Sequence, residues 1–360
     1  MPVSIAIVGA SGSVGSALAS QLLRSQLMEP RDRLQLVGHG TSPDKLLANR
    51  IDLLDAFDDY RIDVEMVPNI EDVDADIVVI ASSAPVSRDL TNRRRLGLSN
   101  LPVFEELAEK CASSAPNAFY IVISNPTELA VEILSSRIDR RRVMGMGAQQ
   151  DSLRFARSIA KDLDINRNRV RASVLGEHGP FMVPLWSSVG IRNASPLLLE
   201  ALKELRQRSR ITPLSQRVAE LQSQVMSLLN ANKMAEAYEA TRRALPDARI
   251  MVEPAITVHS MRSTPNATAN ATISCLAALL ASDRREVHGQ VMLQGEFLGI
   301  HGVCGVPLAL DHERWHVRLV DSMEESEKTA VLEAADSIRA FSEETIAKSL
   351  RESSYATTSA

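Results

Sequence analysis

Cysteine is scarce in this 360-residue chain. There are three, Cys111, Cys275 and Cys304, an odd number with no metal-ligand spacing. That usage fits a reducing compartment, and a cytoplasmic protein is the expectation. No stretch is apolar for long enough to span a bilayer, so no membrane is expected as a partner. A strand, Val3 to Val8, begins almost at once and leaves no room for a secretory leader. The three Asn-x-Ser/Thr sites, at Asn193, Asn266 and Asn270, therefore read as chance matches. Positive charge is not in excess: the net charge is −5, which gives no footprint for nucleic acid. The sequence also lacks internal repeats and low-complexity linkers, so its parts should pack tightly. No metal site is expected, because His312 and His316 stand four apart in loop-to-strand sequence rather than on a helix. What the chain does have is a 45% hydrophobic content, enough for a large core, and a length that suggests two domains.

The first 145 residues alternate strand and helix. Strands are expected at Ser4–Val8, Leu34–Val37, Val64–Val67, Asp76–Ala81, Phe119–Ser124 and Arg142–Met146. Several are continuous apolar runs, as strands buried on both faces should be. Helical periodicity lies between them at Ser13–Leu23, Arg93–Cys111 and Glu128–Arg137. This rhythm predicts an α/β fold with a doubly wound parallel sheet and right-handed crossovers. The second half reads as mixed α+β. It has a helix from near Gln149, a strand at Val170–Leu175 and a long helical stretch from about Pro213 to Leu245. A helix at about Ala267–Ala281, β-rich sequence over Gly289–Leu310 and a final amphipathic helix from about Glu324 to Leu350 follow. The expected division is a dinucleotide-binding domain at 1–147, a substrate domain at 148–350 and a frayed tail at 351–360.

Gly9-Ala10-Ser11-Gly12-Ser13-Val14-Gly15 follows the first strand and opens the first helix. Glycines there allow a tight turn, close approach of a pyrophosphate and helix–strand packing, and the helix N-terminus offers N–H groups to phosphate. A glycine triplet alone also fits an ordinary turn; its place inside a βαβ unit favours a Rossmann cofactor site. At the end of the second strand, where a carboxylate usually holds the ribose diol of NAD, the chain reads Gly38-His39-Gly40-Thr41-Ser42. Gly38 removes a repulsion toward a 2′-phosphate, and His39, Thr41, Ser42, Lys45 or Arg50 could meet one. NAD and NADP stand equally open.

Two strings carry the chemistry. In Asp151-Ser152-Leu153-Arg154 a carboxylate and a guanidinium share one helix face. In Leu175-Gly176-Glu177-His178-Gly179 a histidine sits in a glycine-flanked turn. A histidine, an orienting aspartate and an arginine for a carboxylate are the parts for acid–base chemistry on a 2-hydroxy acid. The plainer alternatives are a surface ion pair, a turn histidine, and for Arg93-Arg94-Arg95 an exposed charge run. Glu177 reads as a turn-shaping residue, and the remaining histidines as structural.

Together the motifs resemble the lactate/malate dehydrogenase family, its malate-like branch especially, over nearly the whole chain. They are Gly9-x-x-Gly12-x-x-Gly15, Arg93-x-x-Leu96-x-x-x-Asn100, Ser124-Asn125-Pro126, Gly145-Met146-Gly147 leading to Asp151 and Arg154, and Leu175 to Gly179 followed by Val183-Pro184-Leu185-Trp186-Ser187. Gly295-Glu296-Phe297 and Gly305-Val306-Pro307 come later.

The resemblance implies that His178 exchanges a proton with the substrate carbonyl and that Asp151 fixes its tautomer. It implies that Arg154 grips the C1 carboxylate and that Arg93 arrives on a mobile loop to polarise the carbonyl. Asn125 would touch substrate and nicotinamide ribose, and Thr264 would line the pocket. Cofactor contacts are implied at Gly9, Ser11, Gly12, Ser13, Val14, Gly15, Gly38, His39, Ala81, Asn100, Ser124 and Asn125.

The chain departs from the family where malate enzymes carry a second loop arginine. Ser87 stands there with Arg88 beside it, so either Arg88 meets a distal carboxylate or the substrate lacks one. The region between Trp186 and Thr264 reads as longer than in the family, with unmatched material at Arg206–Thr212, which could add oligomer contacts, and at Pro246–Arg262, which could reshape the substrate pocket. A surface insertion is the expectation for the first, and the second is left open. The expected function is NAD(P)-dependent interconversion of a 2-hydroxy acid and its 2-oxo acid, malate/oxaloacetate first, by a homodimer or homotetramer. The alternatives are a non-malate 2-hydroxy acid dehydrogenase or a non-catalytic dinucleotide-binding relative.

Overall fold

The computed structural model describes residues 2–40, 42–84, 93–281 and 284–358. Its first strand, β1 (Ser4–Val8), is buried at every position. Ile5 and Ile7 enter one hydrophobic core while Ala6 and Val8 enter another, the two-residue period of a strand covered on both faces. The chain continues through α1 (Ser13–Ser25), β2 (Arg33–Val37), α2 (Pro43–Phe57), β3 (Asp63–Val67), β4 (Ile77–Ile80), α3 (Arg93–Ser114), β5 (Phe119–Val122), α4 (Thr127–Ser135) and β6 (Val143–Gly145). These six strands pair in parallel in the order β3-β2-β1-β4-β5-β6, the doubly wound arrangement read from the sequence. Helix α1 supplies Leu18 and Leu22 to one core, and α3 supplies Leu101, Phe104 and Leu107 to the other. Each such buried side chain contributes roughly 1.5–3 kcal/mol.

Helix α2 had no counterpart in the sequence reading. Its start carries a clear signal: Ser42 caps it by accepting the Asp44 N–H at 3.2 Å, and Pro43 occupies the first turn.

The second half holds α5 (Gly147–Asp162), β7 (Val170–Gly176), β8 (Met182–Ile191), α6 (Pro196–Ser209), α7 (Leu214–Asn230), α8 (Met234–Arg243), α9 (Pro246–Met261), α10 (Pro265–Ala281), β9 (Glu286–Gln294), β10 (His301–Leu310), β11 (Trp315–Val317) and α11 (Glu325–Thr358). The sheet does not stop at β6. It runs on through β9, β10, β7 and β8, now antiparallel, with β11 on β10.

One expected helix is two. The stretch from Pro213 to Leu245 breaks after Asn230, where Asn232 takes the left-handed conformation at φ 58°. The Asn232 N–H then reaches the Leu229 carbonyl and the Lys233 N–H the Leu228 carbonyl, closing a Schellman cap that asparagine tolerates. The unmatched segments are built in rather than merely appended. Arg206 donates to the Val189 carbonyl at 2.7 Å, and α9 buries Asp247 and Arg249. Helix α10 returns to the first half, where Ala271, Cys275 and Leu276 join Leu18 and Leu22.

Candidate active site

The turn after β1 is shaped by space. Gly9 has φ +84°, and a Cβ on Gly15 would fall 2.3 Å from the Gly9 carbonyl oxygen. Gly12 caps α1, so the loop leaves the N–H groups of a helix start facing outward. Asn49 of α2 braces the loop, donating to the Ala10 carbonyl at 3.1 Å and accepting from Ser16. Ser13 faces Ser263 across the cleft, their hydroxyls 3.4 Å apart. Val14 and Ala81 pack against the first core. These residues fit a dinucleotide: a side chain at Gly15 would strike the Gly9 and Ala10 backbone, so glycine lets the helix start close up on the loop and leaves its N–H groups for a pyrophosphate.

Gly38 has a structural reason of its own, since a Cβ there would stand 2.9 Å from the Pro68 carbonyl oxygen. His39 bridges from the end of β2 to Ser82 beyond β4, with Nδ1 and the hydroxyl 2.5 Å apart and Nε2 3.5 Å from Glu106. Arg50 donates to the Val64 carbonyl at 2.6 Å. Asn100 and Ser124 spend their side chains on backbone. Asn100 donates to the Asn125 carbonyl at 2.6 Å and accepts from the Ala84 N–H, while Ser124 donates to the Ser82 carbonyl. Asn125 accepts from the Thr127 hydroxyl at 3.0 Å.

The strings 151–154 and 175–179 meet. Asp151, wholly buried in the first turns of α5, gives one oxygen to each partner. Oδ2 lies 2.6 Å from His178 Nδ1, and Oδ1 accepts from Arg154 Nη1 at 3.0 Å. Arg154 Nη2 also donates to Thr264 at 3.3 Å, and Gln150 donates to the same hydroxyl at 3.0 Å. Gly147 makes room for the ring: a Cβ there would lie 2.4 Å from His178 Cγ. Beside this clamp, α5, α9 and α10 enclose a cavity of about 400 Å³ whose lining includes Arg154, Thr264, Leu153, Ile250, Pro254 and Met261.

Arg93 lies beneath the same turn. It donates to the His178 carbonyl at 3.1 Å, to Glu128 at 2.8 Å, and pairs with Glu177 at 2.9 Å. Its guanidinium also covers the Phe341 ring of α11 at 4.8 Å. Arg93 thus touches the backbone of His178, not its ring. Arg88 lies outside the described residues. Glu128 and Gln150 have no place in the sequence reading, and Gly147 has one only as part of the motif that leads to Asp151. A carboxylate two residues after Pro126, in the first turn of a largely apolar helix, was the available signal for Glu128.

Burial opposes charge on Asp151, but His178 and Arg154 outweigh it and hold the carboxyl below the usual range. Burial likewise disfavours an imidazolium at His178. Asp151, with help from Glu128, overcomes both that and the repulsion of Arg154, so the ring's proton affinity is raised. Burial and the charge of Glu128 push Glu177 up against the pull of Arg93.

Residues 3–145 match the lactate/malate dehydrogenase NAD binding domain. An L-2-hydroxycarboxylate dehydrogenase (NAD(P)(+)) of Methanocaldococcus jannaschii is 27% identical, covering 94% of this chain and 98% of its own. A malate dehydrogenase of Methanosphaera stadtmanae is 30% identical over 52% of this chain and 60% of its own. Among solved structures, a lactate dehydrogenase from a Medee basin deep-sea metagenome superposes with a TM-score of 0.75 at 18% identity, covering 96% and 99% of the two chains, a likeness of fold. With the family's NAD binding domain matched at one end and relatives aligned almost throughout, the chain is similar to the lactate/malate dehydrogenase family along nearly its whole length.

Proposed function

We propose that the protein is an NAD-dependent oxidoreductase that interconverts a 2-hydroxy acid and its 2-oxo acid. The observation that carries this reading is the Asp151 carboxylate, one oxygen on the His178 ring and the other on Arg154. That arrangement ties a proton carrier and a carboxylate clamp to one buried anion. Bound nicotinamide would supply or accept the hydride at the substrate's second carbon. His178 would give its proton to the carbonyl oxygen in reduction and recover it in oxidation. Arg154 would hold the C1 carboxylate by two parallel hydrogen bonds, with Thr264 and Gln150 fixing the guanidinium. Asn125 would orient substrate and ribose, and Arg93 would hold the His178 turn; to polarise the carbonyl it would have to leave Glu128 and Glu177. In the cofactor loop, Gly9, Ser11, Gly12 and Ser13 would meet the pyrophosphate, Val14 and Gly15 would pack the helix start, and Ala81, Asn100 and Ser124 would floor the nicotinamide side.

For the adenosine end, Glu106 beside His39 places negative charge where a 2′-phosphate would come, which supports NAD over NADP. Malate/oxaloacetate is the first substrate pair, with Arg88 the candidate for the distal carboxylate. The cavity beside Arg154 supports a second reading, a 2-hydroxy acid with a larger, neutral or polar side chain. Assembly as a homodimer or homotetramer belongs to the reading. Leu47 and Ile51, 44% and 56% exposed and one turn apart on α2, suit a covered face.

The test is nicotinamide oxidation followed by absorbance, with NADH and NADPH each offered oxaloacetate, pyruvate and a series of longer 2-oxo acids. The expected result is turnover with NADH and a 2-oxo acid. A protein that binds NADH in a separate titration yet turns over none of the panel would be a binding relative, not this enzyme.

A further inference from the structure

We propose that Glu128 is a positioning residue for His178, fixing the turn that carries it and supplying the buried negative charge that its imidazolium requires. This rests on the role given above to His178 as proton carrier. Glu128 lies in the first turn of α4 and is wholly buried. Its Oε1 accepts the backbone N–H of His178 at 2.6 Å, and its Oε2 takes Arg93 at 2.8 Å. No other described side chain accepts that N–H, so the place of the turn relative to α4 depends on this carboxylate.

The charges around the ring close only with its proton. Three buried or nearly buried carboxylates, Asp151, Glu128 and Glu177, face two guanidiniums, Arg93 and Arg154. With a neutral imidazole the set carries one surplus negative charge; with an imidazolium it is balanced. Buried charge that is unbalanced is costly, so the set as a whole favours the proton on His178. Cys304 of β10 also lies near Glu128, but burial pushes its thiol up to about 12, and it stays neutral. Asp151 alone would orient the ring; Glu128 acts through the backbone and through charge, without touching the reacting atoms.

The experiment is an NMR titration of the His178 imidazole in the NAD-bound protein, set beside the pH profile of 2-oxo acid reduction. Glu128→Gln keeps the shape and removes the charge. The expected result is a titration midpoint about one unit lower, with the alkaline limb of reduction shifted by the same amount and the KM for the 2-oxo acid changed far less than kcat. Arg93→Gln removes the balancing cation instead, and the midpoint is expected to rise. This second variant decides the matter if Glu128→Gln does not fold. An unchanged midpoint in folded Glu128→Gln, or a fall in Arg93→Gln, overturns the inference, as does a lowered melting temperature with the pH profile intact. Because the titration needs no substrate, the two readings fail separately. Absent turnover with a moving midpoint removes the dehydrogenase, and turnover with a fixed midpoint removes Glu128.

Discussion

At the scale of single residues, the site depends on absences of side chain as much as on their presence. His178 reaches Asp151 because Gly147 leaves its own side empty. Gly147→Ala would bring a methyl group to 2.4 Å from the ring, and backbone-built α5 cannot yield as a flexible side chain would. The ring must then leave its 2.6 Å bond to Asp151. The expected loss is about 100-fold in kcat, typical of a misplacement near 1 Å, with NAD affinity unchanged. Parallel single-turnover and cofactor-binding measurements check it, and a normal rate would mean the ring has another resting place. His178, Asp151 and Arg154 were legible in the sequence because each is a chemically unusual residue in a short spacing. The reason for Gly147, named only within a motif, and any role for Glu128 were not, because what makes them matter is a neighbour far along the chain: 31 residues away for one and 50 for the other.

At the scale of elements, α9 shows how a helix with weak marks in the sequence is held. Asp247, 2% exposed, takes Arg217 through both oxygens at 2.7 and 2.8 Å and the Trp186 indole N–H at 3.0 Å. Arg249, equally buried, spans Asp162 and the carbonyls of Thr241, Arg242 and Ala244. Such pairs locate an element more than they stabilise it, yet breaking one leaves an uncompensated charge. Asp247→Ala is expected to cost about 3–5 kcal/mol in denaturant unfolding. Because α9 walls the cavity beside Arg154, the KM for larger 2-oxo acids should rise more than that for pyruvate. A loss under about 1 kcal/mol would show Arg217 to be solvated in the variant. Continuous apolar strands were read to within two residues of their ends, since burial on both faces leaves a plain mark. Helices α2, α6 and α9 have no counterpart in the sequence reading, although each has proline in its first turn and α2 and α6 carry a serine cap.

At the scale of the whole molecule, the sheet's two halves meet around β9. There His288 is 5% exposed, with its backbone N–H on the Gln149 side chain. Burial, and then the charge of Arg171, push this histidine down to about 4. Between its ordinary value of 6.5 and that value the unfolded chain takes a proton that the native one refuses. Its contribution is therefore complete above pH 6.5 and drains away as the pH falls toward 4, on the order of 3 kcal/mol in all. In His288→Gln the loss of stability between neutral pH and pH 4 should shrink by that order, measured by denaturant unfolding at each pH; an identical loss would place the acid sensitivity elsewhere. The same joint has a mechanical meaning. The ladder between β6 and β9 has one registered rung, Gly145 opposite Gln290, and that between β10 and β7 has one, Gly305 opposite Gly176. Helix α5 with Asp151 hangs from the far side of the first rung, and His178 follows two residues beyond the second. The nine-pair ladder between β9 and β10 lies between these two rungs, so the strands that lead to the anion and to the acid meet through a stiff hairpin pinned once on each side, with α5 packed across it on β7. A slight turn about either pin would change the gap across which the proton's charge is held.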